Sequence, residues 1–155
     1  MKRILVIIGI LALLWGCEDP LSSTAVSQDE KIDSFISSKY ADSTVVFNRG
    51  VNRIVLSAGD STRVAAAGDT LAFDYIGYTF NSNIESAFCQ GSYRCPLGCG
   101  ELIDALEYGL EGMTPGEHSY IIASCKYCYG NTVAGVGRDK ALVFEVLLNE
   151  IIRPE

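Results

Sequence analysis

The sequence has 155 residues, of which 12 are Lys or Arg and 19 are Asp or Glu, so its formal net charge is −7 at pH 7. This acidic balance argues against nucleic acid or an anionic membrane face as a partner, because both attract basic surfaces. The residues that follow the apolar N-terminal segment are numerous enough for one domain with its own hydrophobic core.

The N-terminus has the pattern of a secretory signal. Lys2 and Arg3 precede an uninterrupted apolar run over residues 4–15, which is too short to span a bilayer and has the length of a signal-peptide core. The run ends in Leu14-Trp15-Gly16-Cys17, which resembles the lipobox of bacterial lipoproteins, although Trp15 is bulkier than the small residue usual there. The resemblance implies cleavage before Cys17 and acylation of that cysteine.

The chain organisation follows from that cleavage site. We predict a signal peptide over residues 1–16, a lipidated tether with a short helix over residues 17–44, and a folded domain over residues 45–155. The expected location is extracytoplasmic, on a bacterial membrane, with the outer membrane preferred. The acidic pair Glu18-Asp19 resembles export signals of some surface lipoproteins.

Hydrophobic periodicity predicts an α+β domain. Ile32, Phe35 and Ile36 recur at helical spacing and predict a short amphipathic helix over residues 27–39, outside the domain. A second helix is predicted over residues 101–110, and residues 81–99 are expected to be irregular. The predicted strands cover residues 45–47, 51–56, 70–80, 119–124 and 141–152. Their arrangement favours an antiparallel sheet curled around the central short helix.

Five cysteines remain besides Cys17: Cys89, Cys95, Cys99, Cys125 and Cys128. In an oxidising compartment they favour disulfides, but the odd count leaves one thiol unpaired and the connectivity open. A bridge between the 89–99 and 125–128 regions is one possibility. Free thiols, or a metal or redox role for Cys125-Lys126-Tyr127-Cys128, are the alternatives.

Four segments, in order, resemble the FKBP-type peptidyl-prolyl cis-trans isomerases. They are Gly-Asp-Thr-Leu-Ala-Phe-Asp-Tyr-Ile-Gly from Gly68, Leu-Ile-Asp-Ala-Leu-Glu-Tyr-Gly-Leu-Glu-Gly-Met-Thr-Pro-Gly-Glu from Leu102, Tyr-Cys-Tyr-Gly from Tyr127, and Ala-Leu-Val-Phe-Glu-Val from Ala141. The resemblance implies the family's curled sheet and an enzyme that needs no cofactor and no metal. It also implies proline-containing polypeptides as partners.

The resemblance also assigns a pocket. Ile103 would offer its backbone N–H to the substrate and Tyr129 its hydroxyl, while Leu106 and Phe144 would form the floor and wall around the proline ring. Ile84 and Glu85 stand where the family has an aromatic wall residue and an aspartate. The full set of expected site residues is Tyr75, Ile84, Glu85, Tyr93, Leu102, Ile103, Leu106, Tyr129 and Phe144.

Other interpretations of the same residues stay open. Apolar side chains at strand and helix spacing are commonly plain core, and the altered wall at Ile84 is compatible with a binding or chaperone module that has lost catalysis. A thiol or metal protein is the third possibility. The sole histidine, His118, is expected at the surface, and a histidine-dependent nucleophilic site is therefore not favoured.

Overall fold

The computed structural model describes residues 20–129, 136–137 and 139–153, with side chains from Ser23 onward. Cys17 and the predicted signal lie outside the described residues. Two α-helices, six strands and one 3₁₀ turn follow each other along the described chain. They are α1 Pro20–Lys39, β1 Thr44–Asn48, β2 Val51–Ser57, β3 Thr70–Phe80, β4 Ile84–Pro96, α2 Asp104–Leu110, β5 His118–Ala123, the 3₁₀ turn Cys125–Tyr127, and β6 Ala141–Ile152.

The six strands form a single antiparallel sheet in the order β1-β2-β5-β6-β3-β4. The long strands β3 and β6 pair along their whole length, from Thr70 opposite Ile152 to Phe80 opposite Ala141. β1 and β4 form the two edges of the sheet. The predicted α+β fold, an antiparallel sheet curled over a short helix, is confirmed.

One face of the sheet packs against α2 and carries the larger hydrophobic core. Alternate residues of β6, Leu142, Phe144, Val146 and Leu148, all point to this face and are buried, as the period of a strand requires. From α2, Leu106 and Leu110 are among the side chains that complete this core. The predicted alternation of β6 is therefore confirmed, and it faces α2.

The opposite face of the sheet is covered by α1. Ile32 and Phe35 of the helix are buried against a second core that includes Ile54, Phe80 and Val143 from three different strands. The Phe35 and Phe80 rings meet edge to face, with centroids 5.3 Å apart, a favoured aromatic geometry. The helix is thus part of the folded unit, and the sheet lies between two helices.

The region predicted as a tether is largely helical. α1 begins at Pro20, seven residues before the predicted start, and Ala25 is already buried. Proline suits the first turn of a helix because its missing N–H has no intrahelical partner there. The first turns were missed because Ser22, Ser23 and Thr24 interrupt their apolar pattern.

The expectation of irregular structure over residues 81–99 is wrong. β4 runs from Ile84 to Pro96 and pairs with β3 over its whole length. Because it is an edge strand, most of its side chains are exposed and polar, so the alternation that marks a half-buried strand is absent. The central helix is also shorter than predicted, since α2 starts at Asp104 and not at residue 101.

None of the described helices combines the length and the apolar character that crossing a bilayer requires.

Candidate active site

The C-terminal end of α2 is fixed by a buried arginine from β2. Arg53 donates hydrogen bonds to the carbonyl oxygens of Gly109 at 3.0 Å and Glu111 at 2.7 Å, and it pairs with the Glu117 carboxylate at 3.2 Å. No backbone N–H of the helix donates to carbonyls at this end, so they need another donor. A cation at this end also complements the helix dipole. Arg53 therefore sets how α2 sits on the sheet.

The N-terminal end of α2 is fixed by Glu107. Its carboxylate accepts the backbone N–H of Gly98 at 2.6 Å and that of Gly100 at 3.1 Å, which ties the loop after β4 to the helix. Ile103 occupies the N-cap position and its carbonyl accepts the N–H groups of Leu106 and Glu107. Within the described part of the chain, no backbone carbonyl accepts the Ile103 N–H.

A cavity of about 190 Å³ opens beside this end of α2. Aromatic rings from β3, β4 and the segment after the 3₁₀ turn form its walls, and the residues just before and within α2 form its base. Its lining consists of Phe73, Tyr75, Tyr93, Glu101, Leu102, Ile103, Leu106 and Tyr129. The structure therefore brings together six of the nine predicted site residues: Tyr75, Tyr93, Leu102, Ile103, Leu106 and Tyr129.

Tyr129 lines the cavity, and its hydroxyl stays neutral. Burial raises the pKa of Tyr129 above its ordinary value, and the nearby Cys89, Tyr75 and Cys128 add to that effect. A tyrosine whose pKa is raised keeps its proton at neutral pH and can donate a hydrogen bond. It is one polar group of a lining that also contains the Glu101 carboxylate.

Phe144 lies behind the cavity lining, fully buried in the core on the α2 face. Its ring contacts Phe88 edge to face at a centroid distance of 6.2 Å. Gly77 allows this approach, since a Cβ at that position would lie 3.1 Å from the Phe144 ring and 2.7 Å from the Cys89 sulfur. Phe144 therefore supports the wall from inside and does not line the cavity.

Ile84 and Glu85 do not line the cavity. The geometry therefore corrects their prediction as pocket residues. Ile84 packs against the core beneath α1, on the opposite face of the sheet, and Glu85 accepts a hydrogen bond from Thr79 at 3.1 Å. Two register shifts between β3 and β4 separate Ile84 from the later part of β4, and such shifts re-aim side chains. Phe88, which is skipped at the shift between Cys89 and Ala87, packs next to Phe144.

Two lining residues were not predicted, Phe73 and Glu101. Phe73 stands two positions before Tyr75 on β3, so it shares the same face of the strand, and their ring centroids are 6.1 Å apart. That spacing was the available signal. Glu101 is the neighbour of Leu102 in the chain, and both residues line the cavity.

All five described cysteines are free thiols, and a bridge between the 89–99 and 125–128 regions, one of the possibilities left open by the sequence, is not formed. Burial raises the pKa of Cys95 to about 11 and that of Cys128 to about 12, and it also raises the pKa of Cys89 and Cys125. Protonated thiols are poor nucleophiles and poor metal ligands. Within the described residues, no three His, Cys, Asp or Glu side chains are grouped to hold a metal ion.

Comparison with known proteins gives one family. Residues 61–149 match the model of the FKBP-type peptidyl-prolyl cis-trans isomerases. The chain is 34% identical over 89 residues to "FK506-binding protein 4" of Emericella nidulans, 31% over 97 residues to "Peptidyl-prolyl cis-trans isomerase FKBP10" of Homo sapiens, and 31% over 78 residues to "FK506-binding protein" of Streptomyces anulatus.

These matches cover 56%, 60% and 48% of this chain, respectively. They cover 19% of the Emericella nidulans protein, 17% of the human protein and 63% of the Streptomyces anulatus protein. The likeness is therefore that of one domain, and α1, β1 and β2 precede the residues that match the family model.

Proposed function

The chain belongs to the FKBP-type peptidyl-prolyl cis-trans isomerase family, and from this premise we propose that it catalyses rotation about Xaa-Pro bonds in polypeptides outside the cytoplasm. The observation that carries the proposal is the aromatic cavity of about 190 Å³ beside the start of α2. That volume is below the range of drug-sized ligand sites, about 300–1,000 Å³. It suits one side chain, such as a proline ring, more than a large cofactor.

The chemistry required is modest. Amide resonance holds the Xaa-Pro bond planar behind a barrier of about 18–20 kcal/mol, and the twisted transition state has lost that resonance and part of its dipole. An apolar cavity disfavours the more dipolar planar state relative to the twisted one. Each tenfold acceleration needs about 1.4 kcal/mol of such differential binding.

The proposed roles use groups around the cavity. The rings of Phe73 and Tyr93 enclose the proline, and Leu106 lies at the base. The Ile103 N–H holds a substrate carbonyl, and the protonated hydroxyl of Tyr129 donates to the carbonyl that precedes the proline. The bond that rotates is then held at both sides while its own atoms remain in apolar surroundings.

The test is a protease-free isomerisation assay on the full chain, purified in a non-ionic detergent, with a proline-containing peptide as substrate. We expect acceleration by the wild-type protein and a loss of about tenfold or more in kcat/KM for Tyr129→Phe, because the donor to the carbonyl is removed. Phe47→Leu, at an exposed site on β1, is the control and should leave kcat/KM unchanged. Absence of acceleration by the wild-type protein would leave a binding module as the function.

We propose further that the chain is a lipoprotein that is cleaved before Cys17 and acylated on that residue, and that its clients are extracytoplasmic proteins. The support is the sequence of the first 17 residues, with two basic residues, an apolar run and the terminal cysteine. An isomerase in this location would assist the folding of exported polypeptides, for which Xaa-Pro rotation is a slow step.

A further inference from the structure

The segment that carries Tyr129 is attached to α1, which lies on the other face of the sheet. The 3₁₀ turn Cys125–Tyr127 is separated from the end of β5 by one residue, and Tyr129 stands two residues after the turn. Within the turn, the N–H of Cys128 donates to the carbonyl of Cys125 at 3.1 Å, so the position of Cys125 is transmitted to the residues after it. Cys125 is 1% exposed, and its surroundings therefore restrict its position.

Gln28 of α1 binds the backbone at two places, one before and one after Tyr129 in the chain. Its side-chain oxygen accepts the Cys125 N–H at 2.8 Å, and its side-chain nitrogen donates to the Asp139 carbonyl at 2.7 Å. A glutamine amide has one accepting and one donating end, and only this orientation satisfies both backbone groups. One side chain thus links the turn that precedes Tyr129 with Asp139, two residues before the start of β6.

The linkage is specific to this part of α1. Gln28 is 97 residues from Cys125 and 111 residues from Asp139 along the chain, so the contacts are tertiary and depend on the docked helix. Ile32 and Phe35, on the following turns, supply the apolar contacts that dock the helix. Gln28 therefore adds little apolar burial and acts through its two hydrogen bonds.

We infer that Gln28 is a positioning residue for the proposed isomerase, which holds the turn Cys125–Tyr127 so that the Tyr129 hydroxyl faces the cavity. The inference rests on the proposed function for its kinetic consequence and on geometry alone for its structural consequence. A misplacement of about 1 Å in a reacting group costs up to about 100-fold in rate. Loss of one tether should cost less, and we expect about five- to tenfold.

The experiment uses the full chain with Gln28→Met, which keeps side-chain length and helix propensity but removes both hydrogen bonds. We expect kcat to fall about five- to tenfold with KM changed less than about twofold. In a Tyr129→Phe background the same replacement should change kcat by less than about twofold, because the hydroxyl that it positions is gone. An equal loss in both backgrounds would overturn the inference.

The matched control is Lys31→Met, nearly one turn further along α1. Lys31 donates to the Asn81 side chain at 2.8 Å in an exposed setting and does not bind the turn. It should leave kcat unchanged. A comparable loss in Lys31→Met would mean that docking of α1, and not Gln28, sets the activity, and it would contradict the assigned role.

Amide hydrogen exchange gives a readout that does not need isomerase activity. The Cys125 amide should exchange at least about tenfold faster in Gln28→Met, while Gln28→Glu, which keeps an acceptor, should preserve most of its protection. Unchanged exchange at Cys125 in Gln28→Met would refute the inference even in an active enzyme. Faster exchange in a protein that accelerates no peptide would instead refute the proposed isomerase and leave the structural role standing.

Discussion

At the scale of single residues, the cavity depends on groups that stay neutral. Tyr129 has a raised pKa, and the thiols Cys89 and Cys128, whose charges would act on it, have raised pKa values as well. Neutral groups around Tyr129 suit a reaction in which dipolar character decreases towards the transition state. The same burial that keeps these groups neutral also makes the folded state sensitive to alkali.

Cys95 provides a measurable case of that sensitivity. It is 2% exposed, and its pKa in the folded state is about 11, against about 9 when unfolded. Below pH 9 both states keep the proton, whereas between pH 9 and 11 only the unfolded state releases it. The free energy of unfolding therefore falls as pH rises, by about 1.4 kcal/mol per pH unit from this thiol.

Cys95→Ala should make that decline shallower over the same pH range, measured by urea denaturation in the presence of a reductant. Ser86→Ala is the control, because Ser86 is an exposed residue of the same strand with no titrating group, and its replacement should leave the slope unchanged. Equal slopes in the wild-type protein and Cys95→Ala would show that burial of this thiol does not resist ionisation.

At the residue scale the sequence also reveals how far a site can be predicted. Six of the nine expected site residues line the cavity, because tyrosines and aliphatics in the matching segments occupy regular strand and helix positions. Ile84 and Glu85 were misplaced because a register shift is a property of two paired strands, and one strand's sequence does not contain it. Phe88 illustrates this, since only the shifted pairing turns it towards Phe144.

At the scale of elements, central strands were predictable and edges were not. β3 and β6 occupy the predicted residues, 70–80 and 141–152, because both are rich in apolar and β-branched side chains. β4 was missed because exposed polar residues dominate it, and the first turns of α1 were missed because Ser22, Ser23 and Thr24 interrupt their apolar pattern. Their structure is set by pairing with β3 and by docking on the sheet, which local composition does not encode.

The docking of α1 leads to a prediction about stability. Ile32 is 1% exposed and packs beneath the sheet with Phe35 and Phe80. Ile32→Ala should lower the free energy of unfolding by about 2–5 kcal/mol, since buried methyl groups are lost and a cavity remains. Urea denaturation followed by circular dichroism and by tyrosine fluorescence should give one coincident transition, because α1 and the sheet share a core.

Val26→Ala is the control for this change. Val26 lies on the same helix but is 56% exposed, and its truncation should alter stability by no more than about 0.5 kcal/mol. If Ile32→Ala removed helical signal at low urea while the tyrosine transition stayed in place, α1 would be an independent appendage. The two helices would then not belong to one cooperative unit.

At the scale of the whole molecule, the sheet separates two functions. α2 and the cavity lie on one face, and α1 lies on the other, at the end of the chain that leads to Cys17. Gln28 is the point at which α1 contacts the segment next to the cavity. A membrane anchor at Cys17 would therefore attach to the helix on the back of the sheet.

The proposed anchor also sets how far the domain extends from the membrane. Only Glu18 and Asp19 separate Cys17 from the start of α1, and an extended chain spans at most about 3.6 Å per residue. The acylated protein should therefore sit within roughly 10–15 Å of the bilayer surface. Stable anchoring takes more than one acyl chain, because a single chain gives only marginal, reversible binding.

Metabolic labelling of the full chain with a radioactive fatty acid in a bacterial host tests this anchor. We expect the label and a processed mass that begins at Cys17, and we expect Cys17→Ser to carry no label and to keep residues 1–16, because both processing steps require the thiol. Cys99→Ala, which removes an exposed thiol of the folded domain, should remain labelled and processed. Label retained in Cys17→Ser would move the acylation to a different residue, and a domain so attached would no longer be held at the start of α1.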